Sequence, residues 1–163
     1  MLFRNEDSCL IEILDKQDFF QLNEEIVHCL CERILTDSQL SSGRLGIVLV
    51  DSDTIRQYNR DYLKHDYATD VISFPIESRL DEGHLEAEIL ACTEVAQERA
   101  PEFGWSKEEE LLLYIVHGVL HAVGYDDTTT EARTEMQRKE REYLESVGIN
   151  VPEWDFSEWD DDE

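Results

Sequence analysis

The sequence is organised around residues Tyr114–Asp127, which read Tyr-Ile-Val-His-Gly-Val-Leu-His-Ala-Val-Gly-Tyr-Asp-Asp. His117 and His121 lie four residues apart in an apolar run that predicts a helix, so both imidazoles project from one face of one turn. Gly124 ends that helix, and the carboxylate of Asp127 follows shortly after it. Two imidazoles on a rigid helix with an oxygen ligand returning after a turn form the three-ligand, open arrangement of a catalytic zinc site. The stretch therefore predicts one zinc ion per chain, bound by His117, His121 and Asp127.

Core packing is the alternative reading of this histidine pair, because histidines at this spacing in a helix more often serve packing than metal binding. Three features favour the metal. The pair lies on the most apolar predicted helix, where an unpaired imidazole is costly to bury. Gly118 leaves room beside the site, and Gly124 shapes the turn that brings Asp127 back.

The rest of the chain alternates short apolar runs with helical patterns, which predicts an α+β fold in one domain. We expect a mixed, mostly four-stranded sheet packed with helices, and a metal site on a central C-terminal helix with a metzincin-like ligand arrangement. Strands are predicted at Cys9–Leu14, Leu45–Val50, Val71–Pro75 and Leu85–Cys92. Helices are predicted at Phe19–Leu35, Thr54–Leu63 and Thr93–Arg99, from a cap at Ser106 to Val123, and at Ala132–Val147.

Local signals set the predicted boundaries. Ser106 with Glu109, and Thr128 with Glu131, each match a capping box, and Pro101–Trp105 is predicted to be a linker. Residues 1–149 then form the single domain, and residues 150–163 form an acidic and flexible tail.

The charge balance is strongly acidic, with 14 basic and 39 acidic side chains and a formal net charge of −25. Such a chain lacks the basic stripe of an autonomous nucleic-acid binder and favours basic protein partners and cations. Acidity is also common in proteins from salty habitats, so its functional meaning stays open. Four cysteines without a CxxC pair predict reduced thiols and a cytoplasmic protein, and no apolar run is long enough for a membrane span.

Two motifs resemble one known family. His117-Gly-Val-Leu-His121-x-x-Gly-Tyr-Asp126 resembles the His-Gly-x-Leu-His-x-x-Gly-Tyr-Asp-His signature of the YbeY endoribonucleases, the metal-dependent rRNA maturation proteins of bacteria. Thr69–Pro75, Thr-Asp-Val-Ile-Ser-Phe-Pro, is similar to that family's Thr-Asp-Val-Leu-Ser-Phe-Pro. Asn59 and Glu88-Ile89 fall where the family has an Asn and a Gly-Asp-Ile.

The resemblance implies a single-strand-specific, zinc-dependent endoribonuclease that acts in 16S rRNA 3'-end maturation and ribosome quality control. The implied partners are rRNA in the small ribosomal subunit, together with basic ribosomal proteins or assembly GTPases. Asp70 and Ser73 would line the cleft that faces the metal and contact the substrate.

The chain departs from the family pattern at three positions. Asp127 replaces the third histidine; it can complete a tetrahedral zinc site, but it makes a metal-bound water less acidic than three neutral imidazoles would. Ala87-Glu88-Ile89 replaces Gly-Asp-Ile. Leu63 stands where the family usually has an arginine thought to serve RNA binding or catalysis, and Arg60 or Lys64 is expected to reach the same place.

Two questions about chemistry stay open at this point. Asp126 either orients a ligand or takes a proton during catalysis, or else it is a turn carboxylate that binds backbone amides. The function is either RNA cleavage or, given the acidity and Leu63, non-catalytic ribosome assembly with a structural zinc. A metalloprotease has only the ligand spacing in its favour, because Gly118 replaces the glutamate that zinc proteases carry after the first histidine.

Overall fold

A computed structural model describes residues 9–18 and 21–152. Its strands are β1 (Leu10–Asp15), β2 (Ser42–Val50), β3 (Val71–Pro75) and β4 (His84–Cys92). Its helices are α1 (Glu24–Asp37), α2 (Ser52–Leu63), α3 (Thr93–Phe103), α4 (Lys107–Ala122) and α5 (Thr130–Ser146), with a short 3-10 turn at Leu80–Glu82. The predicted α+β class is confirmed.

The four strands form one mixed sheet in the order β1-β2-β4-β3. Strands β1, β2 and β4 run parallel, and β3 pairs antiparallel with β4 at one edge. Pro75 at the end of β3 agrees with this edge position, because proline cannot donate to a central ladder. Within the described residues, β3 therefore pairs with a strand on one side only, and it lies next to α4.

Helices cover one face of the sheet, and the other is partly open, where Glu12, Arg44 and Glu88 are 29–42% exposed. Helix α4 packs against β3 and β4, and α5 packs on the outside of α4. Successive residues of a strand point to opposite faces. Ser73 and Phe74 are therefore on different faces of β3, and Phe74 meets Tyr58 and Tyr62 of α2. Helix α2 thus lies on the face opposite α4.

Three predicted boundaries were wrong for reasons that the structure shows, and β2 begins at Ser42, three residues before the predicted Leu45. Helix α1 begins at Glu24, because the Asn23 side chain accepts hydrogen bonds from the N–H groups of Glu25 and Ile26; Phe19 and Phe20 lie outside the described residues. The predicted linker at Pro101–Trp105 is helical as far as Phe103, because a proline in the last turn removes only one bond before Gly104 ends the helix with φ +75°.

The cap of α5 is the third correction. Thr129 caps the helix through its side chain, which accepts from the N–H of Ala132. The predicted cap, Thr128, is instead bound to the carboxylate of Asp126 through its N–H and its hydroxyl. The capping box at Ser106 and Glu109 is confirmed, with both reciprocal hydrogen bonds present.

Three of the four cysteines are buried and all four are free thiols. In residues 9–18 and 21–152, none of the helices combines the length and the apolar character that crossing a membrane would need. The predicted tail at 150–163 lies outside the described residues except for its first three positions.

Candidate metal centre

Helix α4, which carries both histidines, is the most buried helix in the described part of the chain. Ten of its residues are buried, and they contact the sheet on one side and neighbouring helices on the others. The capping box at Ser106 fixes where the helix begins. The positions of His117 and His121 are therefore determined by the packing of the core.

Gly118 allows α4 to approach the sheet closely beside the first histidine. A Cβ atom at this position would lie 2.6 Å from Cγ2 of Ile89 and 3.0 Å from Cγ2 of Val71. The first contact is shorter than real Cβ contacts and the second is at their limit, so a side chain at this position would force Ile89 to move. The room that the sequence indicated beside His117 is filled by the side chains of β3 and β4.

The turn after α4 returns the chain to the histidines. Gly124 has a φ of +111°, a left-handed conformation that favours glycine. The N–H of Tyr125 donates to the carbonyl of Leu120 and closes the helix end. Both oxygens of Asp126 accept from Thr128, which holds the following turn and leaves Asp127 facing the histidines.

Three donor atoms meet at one point. The Nε2 atoms of His117 and His121 are 3.1 Å apart, and Oδ2 of Asp127 lies 3.2 Å from the second and 3.7 Å from the first. Zinc bonds of about 2.0–2.2 Å in tetrahedral geometry separate neighbouring donors by roughly 3.3–3.6 Å. Each edge of the triangle lies within about 0.2 Å of this range, so the three residues could hold a metal ion after a small adjustment, in agreement with the prediction.

Glu140 of α5 orients the first histidine, and sequence analysis did not single it out. Its Oε1 lies 2.6 Å from Nδ1 of His117, and its side chain is only 9% exposed. A carboxylate on the outer nitrogen of a metal-binding histidine fixes the ring and leaves the Nε2 lone pair for the ion. The four side chains therefore form a donor triangle with a buried support.

The electrostatics around His117 favour a cation. Burial lowers the pKa of His117, but the hydrogen bond and charge of Glu140, with the charges of Asp70 and Asp127, outweigh it and raise the pKa to about 9. The same negative charges that hold a proton on this ring would stabilise a metal cation next to it.

A cleft of about 1030 Å³ opens over the donor triangle between β3, α4 and α5. Asp70 and Ser73 line it, as the resemblance implied. Oδ1 of Asp70 also accepts from the N–H of Val71, which is the strand-end cap expected for such a residue. Asp70 therefore has a structural contact and a position at the cleft.

The cations in the cleft are not the predicted ones. Leu63 lines the cleft, whereas Arg60 and Lys64 are exposed and lie outside its lining. Arg99 of α3 and Arg133 of α5 line it instead, and Nη1 of Arg99 lies 3.6 Å from Oδ2 of Asp70. Because they come from other helices, the sequence around Leu63 held no signal for them.

Glu88 lies away from the cleft. It pairs in register with Phe74, on the sheet face opposite α4, and its Oε1 lies 3.5 Å from Nη1 of Arg44. Asp126 is exposed and bound to Thr128, so the structure shows its role in the turn, and a catalytic role stays a prediction.

Glu110 is a second buried carboxylate on α4. It is fully buried, and its Oε1 accepts from Nε1 of Trp105 at 2.8 Å. Burial raises the pKa of Glu110. The residue lies one turn before Tyr114, which lines the cleft.

The family model of the endoribonuclease YbeY matches residues 3–148. The chain belongs to the YbeY endoribonuclease family. The resemblance inferred from the two motifs is therefore confirmed.

Individual relatives extend this match. The endoribonuclease YbeY of Rhodopirellula baltica is 46% identical over 112 residues, which cover 68% of this chain but only 57% of that protein. The endoribonuclease YbeY of Salinibacter ruber is 37% identical over 134 residues, covering 78% of this chain and 85% of that protein. The Bacillus cereus protein of the same name is 33% identical over 156 residues, covering 87% and 98%.

The fold also has a solved counterpart. The solution structure of a Thermotoga maritima protein superposes with a TM-score of 0.58 at 25% sequence identity. The match covers 85% of this chain and 91% of the other. Family membership supports an RNA-cleaving role, and the donor triangle supplies the place where a metal ion could bind.

Proposed function

We propose that this chain is a zinc-dependent endoribonuclease that cleaves single-stranded RNA during 16S rRNA 3'-end maturation and ribosome quality control. The observation that carries the proposal is the donor triangle of His117, His121 and Asp127 at the base of the cleft. The cleft is at the upper end of the range of about 300–1,000 Å³ for small-ligand pockets, which suits a segment of polymer.

Each side chain of the site has a separate task. His117, His121 and Asp127 hold the ion, and Glu140 keeps the ring of His117 in place. A bound zinc ion supplies Lewis acidity toward a phosphoryl oxygen and toward water. Arg99 and Arg133 bind the phosphate groups on either side, because guanidinium groups match phosphate oxygens in charge and geometry.

The predicted substrate residues act around this centre. Asp70 holds Arg99 at the cleft wall through their ion pair. Ser73 offers a hydroxyl to a sugar or phosphate oxygen. Asp126 keeps the ligand turn closed, because both of its oxygens accept from Thr128, and it is proposed to act by holding the neighbouring Asp127 toward the histidines.

The family match supports a proposed physiological setting. We place the protein in the cytoplasm, acting on rRNA in the small ribosomal subunit. The net charge of −25 favours contact with basic ribosomal proteins, and assembly GTPases are further proposed partners.

A single-turnover assay tests the proposal. The purified protein, with its metal identified by mass spectrometry, is mixed in excess with 5'-labelled single-stranded RNA or with the same RNA annealed to its complement. We expect zinc-dependent cleavage of the single strand only. His121→Ala should abolish it, and His28→Ala, which changes an exposed histidine of α1, should leave it intact.

A non-catalytic ribosome-assembly factor with a structural zinc is the second candidate. Leu63 favours it, because an apolar side chain lines the cleft where the resemblance places an arginine. Stoichiometric metal without RNA cleavage by the wild-type protein supports this candidate. Iron or nickel in place of zinc would change the cofactor but not the site, because two histidines and a carboxylate also suit those metals.

A further inference from the structure

Three aromatic rings form an exposed cluster on α2 and β3, which we name the aromatic cluster: Tyr58, Tyr62 and Phe74. The rings of Tyr58 and Tyr62 stack with centroids 5.7 Å apart and an interplanar angle of 21°. Phe74 meets Tyr62 edge-on, at 5.6 Å and 72°. Tyr62 is 66% exposed, so most of its ring faces solvent.

Exposed apolar surface concentrates at this edge of the sheet. Among the described residues, five of the seven highly exposed large apolar side chains lie between Tyr58 and Ile76. Single exposed apolar residues need no explanation, but a contiguous patch indicates a binding surface. Within the cluster Phe74 packs against the core, whereas Tyr58 and Tyr62 are 39% and 66% exposed, so the outer rings remain accessible to solvent.

The aromatic cluster adjoins the metal cleft across the width of one strand. Ser73 lines the cleft, and the next residue, Phe74, belongs to the cluster on the other face of the edge strand β3. Leu63 follows Tyr62 directly, and both Leu63 and the exposed Tyr67 line the cleft. A chain that leaves the cleft over the edge of β3 would therefore meet the ring of Tyr62.

The segment between the cluster and the cleft is held in place. Nδ2 of the buried Asn59 donates to the carbonyl of Tyr67 at 2.9 Å. Asp66 pairs with Arg56 of α2 at 2.9 Å. These contacts fix the loop that joins the cluster to the cleft, which reduces the entropy lost when a chain binds along it.

One cation follows the cluster in an otherwise acidic protein. Lys64 is the exposed C-cap residue of α2, two positions after Tyr62, whereas Arg60 lies within the helix and projects from a different side than Tyr62 does. Arg60 has Asp61 as a neighbour at 3.5 Å, whereas Lys64 has no ion-pair partner within the described part of the chain. Aromatic rings beside basic side chains are the combination that binds single-stranded nucleic acid.

We propose that the aromatic cluster is an exit subsite of the cleft, where bases of single-stranded RNA stack on Tyr62. This inference rests on the proposed function, and it gives Lys64 the task of contacting a phosphate of a stacked nucleotide. Stacking needs only the flat face of a base, so this subsite accepts any sequence and excludes duplex RNA, whose bases are already stacked.

Tyr62→Ala and Tyr62→Trp test the subsite in the metal-loaded protein. We expect Tyr62→Ala to weaken binding of single-stranded RNA about five-fold or more, because the variant loses the ring on which a base stacks. Tyr62→Trp keeps an aromatic ring and should retain binding. The loss should appear in KM and leave kcat within about two-fold, because the cluster lies away from the donor triangle. Leu14→Ala, an exposed apolar change on the opposite edge strand, is the matched control and should change neither.

An RNA with abasic positions separates stacking from a structural role. Tyr62→Ala should have no further effect on an RNA whose exit-side nucleotides lack bases, because the contact is already absent. Equal losses on the intact and abasic RNA would overturn the proposal. So would a change in oligomeric state with unchanged RNA affinity, which would make the cluster a protein interface.

The outcome for the wild-type protein keeps the two proposals apart. No cleavage or binding of single-stranded RNA by the wild type overturns the proposed function itself. Cleavage by the wild type with equal KM values for Tyr62→Ala and Leu14→Ala overturns only the exit subsite.

Discussion

Nδ1 of His117 lies 2.6 Å from Oε1 of Glu140, so a side chain of α5 orients a metal ligand carried by α4. The contact joins residues that are 23 positions apart in sequence. It gives the candidate site a support outside the His-x3-His stretch, and that support can be tested separately from the ligands.

Removing the charge of Glu140 should weaken metal binding while the three donors remain. We expect Glu140→Gln to lower metal affinity about 10- to 100-fold, as for other carboxylates that hold a ligand histidine. Competition with a chromophoric chelator measures the affinity. Glu142→Gln, at an exposed position of the same helix paired with Arg138, is the control, and equal affinities for the two variants would contradict the assigned role.

Asp127 should be replaceable by another metal ligand but not by alanine. Asp127→Ala leaves two donors and should lower the metal content of the purified protein well below one per chain. Asp127→His restores the third ligand and should keep the metal. Inductively coupled plasma mass spectrometry gives the metal content, and full occupancy in Asp127→Ala would remove Asp127 from the ligand set.

Gly118→Ala should destabilise the fold although alanine favours helices. The added methyl group would lie 2.6 Å from Ile89, and overpacking of this kind typically costs about 1–3 kcal/mol. Urea unfolding measures the loss. Gly46→Ala is a useful contrast, because its methyl group would meet the flexible side chains of Arg44 and Glu88, at 3.2 Å and 3.4 Å. A similar loss of stability in Gly46→Ala would mean that crowding is not the cause.

Glu110 should make stability fall as the pH rises. Burial raises the pKa of Glu110 in the folded protein, so the folded state binds this proton more tightly than the unfolded state does. The contribution of protonated Glu110 to the free energy of unfolding is therefore complete below the pKa of this residue in the unfolded state. It is lost as the pH rises through the higher pKa of the folded state.

Glu110→Gln keeps a side-chain oxygen that can accept the hydrogen bond from Trp105, and it removes the titratable carboxyl group. We expect the variant to gain stability relative to the wild type on going from pH 5 to pH 8, measured by urea unfolding at each pH. Glu108→Gln, in the first turn of the same helix, controls for the change in net charge. A stability difference that does not vary with pH would contradict the burial effect.

The parts of the structure that the sequence predicted are those set by local patterns. The apolar run of α4 with its cap at Ser106, the edge strand Val71–Pro75 and the three donors within eleven residues all follow from neighbouring positions. Periodicity and capping act over a few residues, so a single sequence contains them. The four-stranded mixed sheet then follows from the order of these elements.

The parts that it missed depend on contacts between distant elements. Helix α5 contains several glutamates, and only the packing of α5 on α4 makes Glu140 the one that reaches His117. Arg99 and Arg133 enter the cleft because of how α3 and α5 cross α4, which no local pattern specifies. At Thr128 two local patterns competed, and the bonds to Asp126 left Thr129 as the cap.

The division of the site between α4 and the segment after it has a mechanical consequence. His117 and His121 belong to the most buried helix, whereas Asp127 and Glu140 belong to a turn and a helix with few buried residues. An ion held by this set would crosslink the core helix to the turn that follows it. Metal loss would remove that crosslink while Met136 and Leu144 still hold α5 on the core, so the turn at Asp127 should loosen while the fold persists.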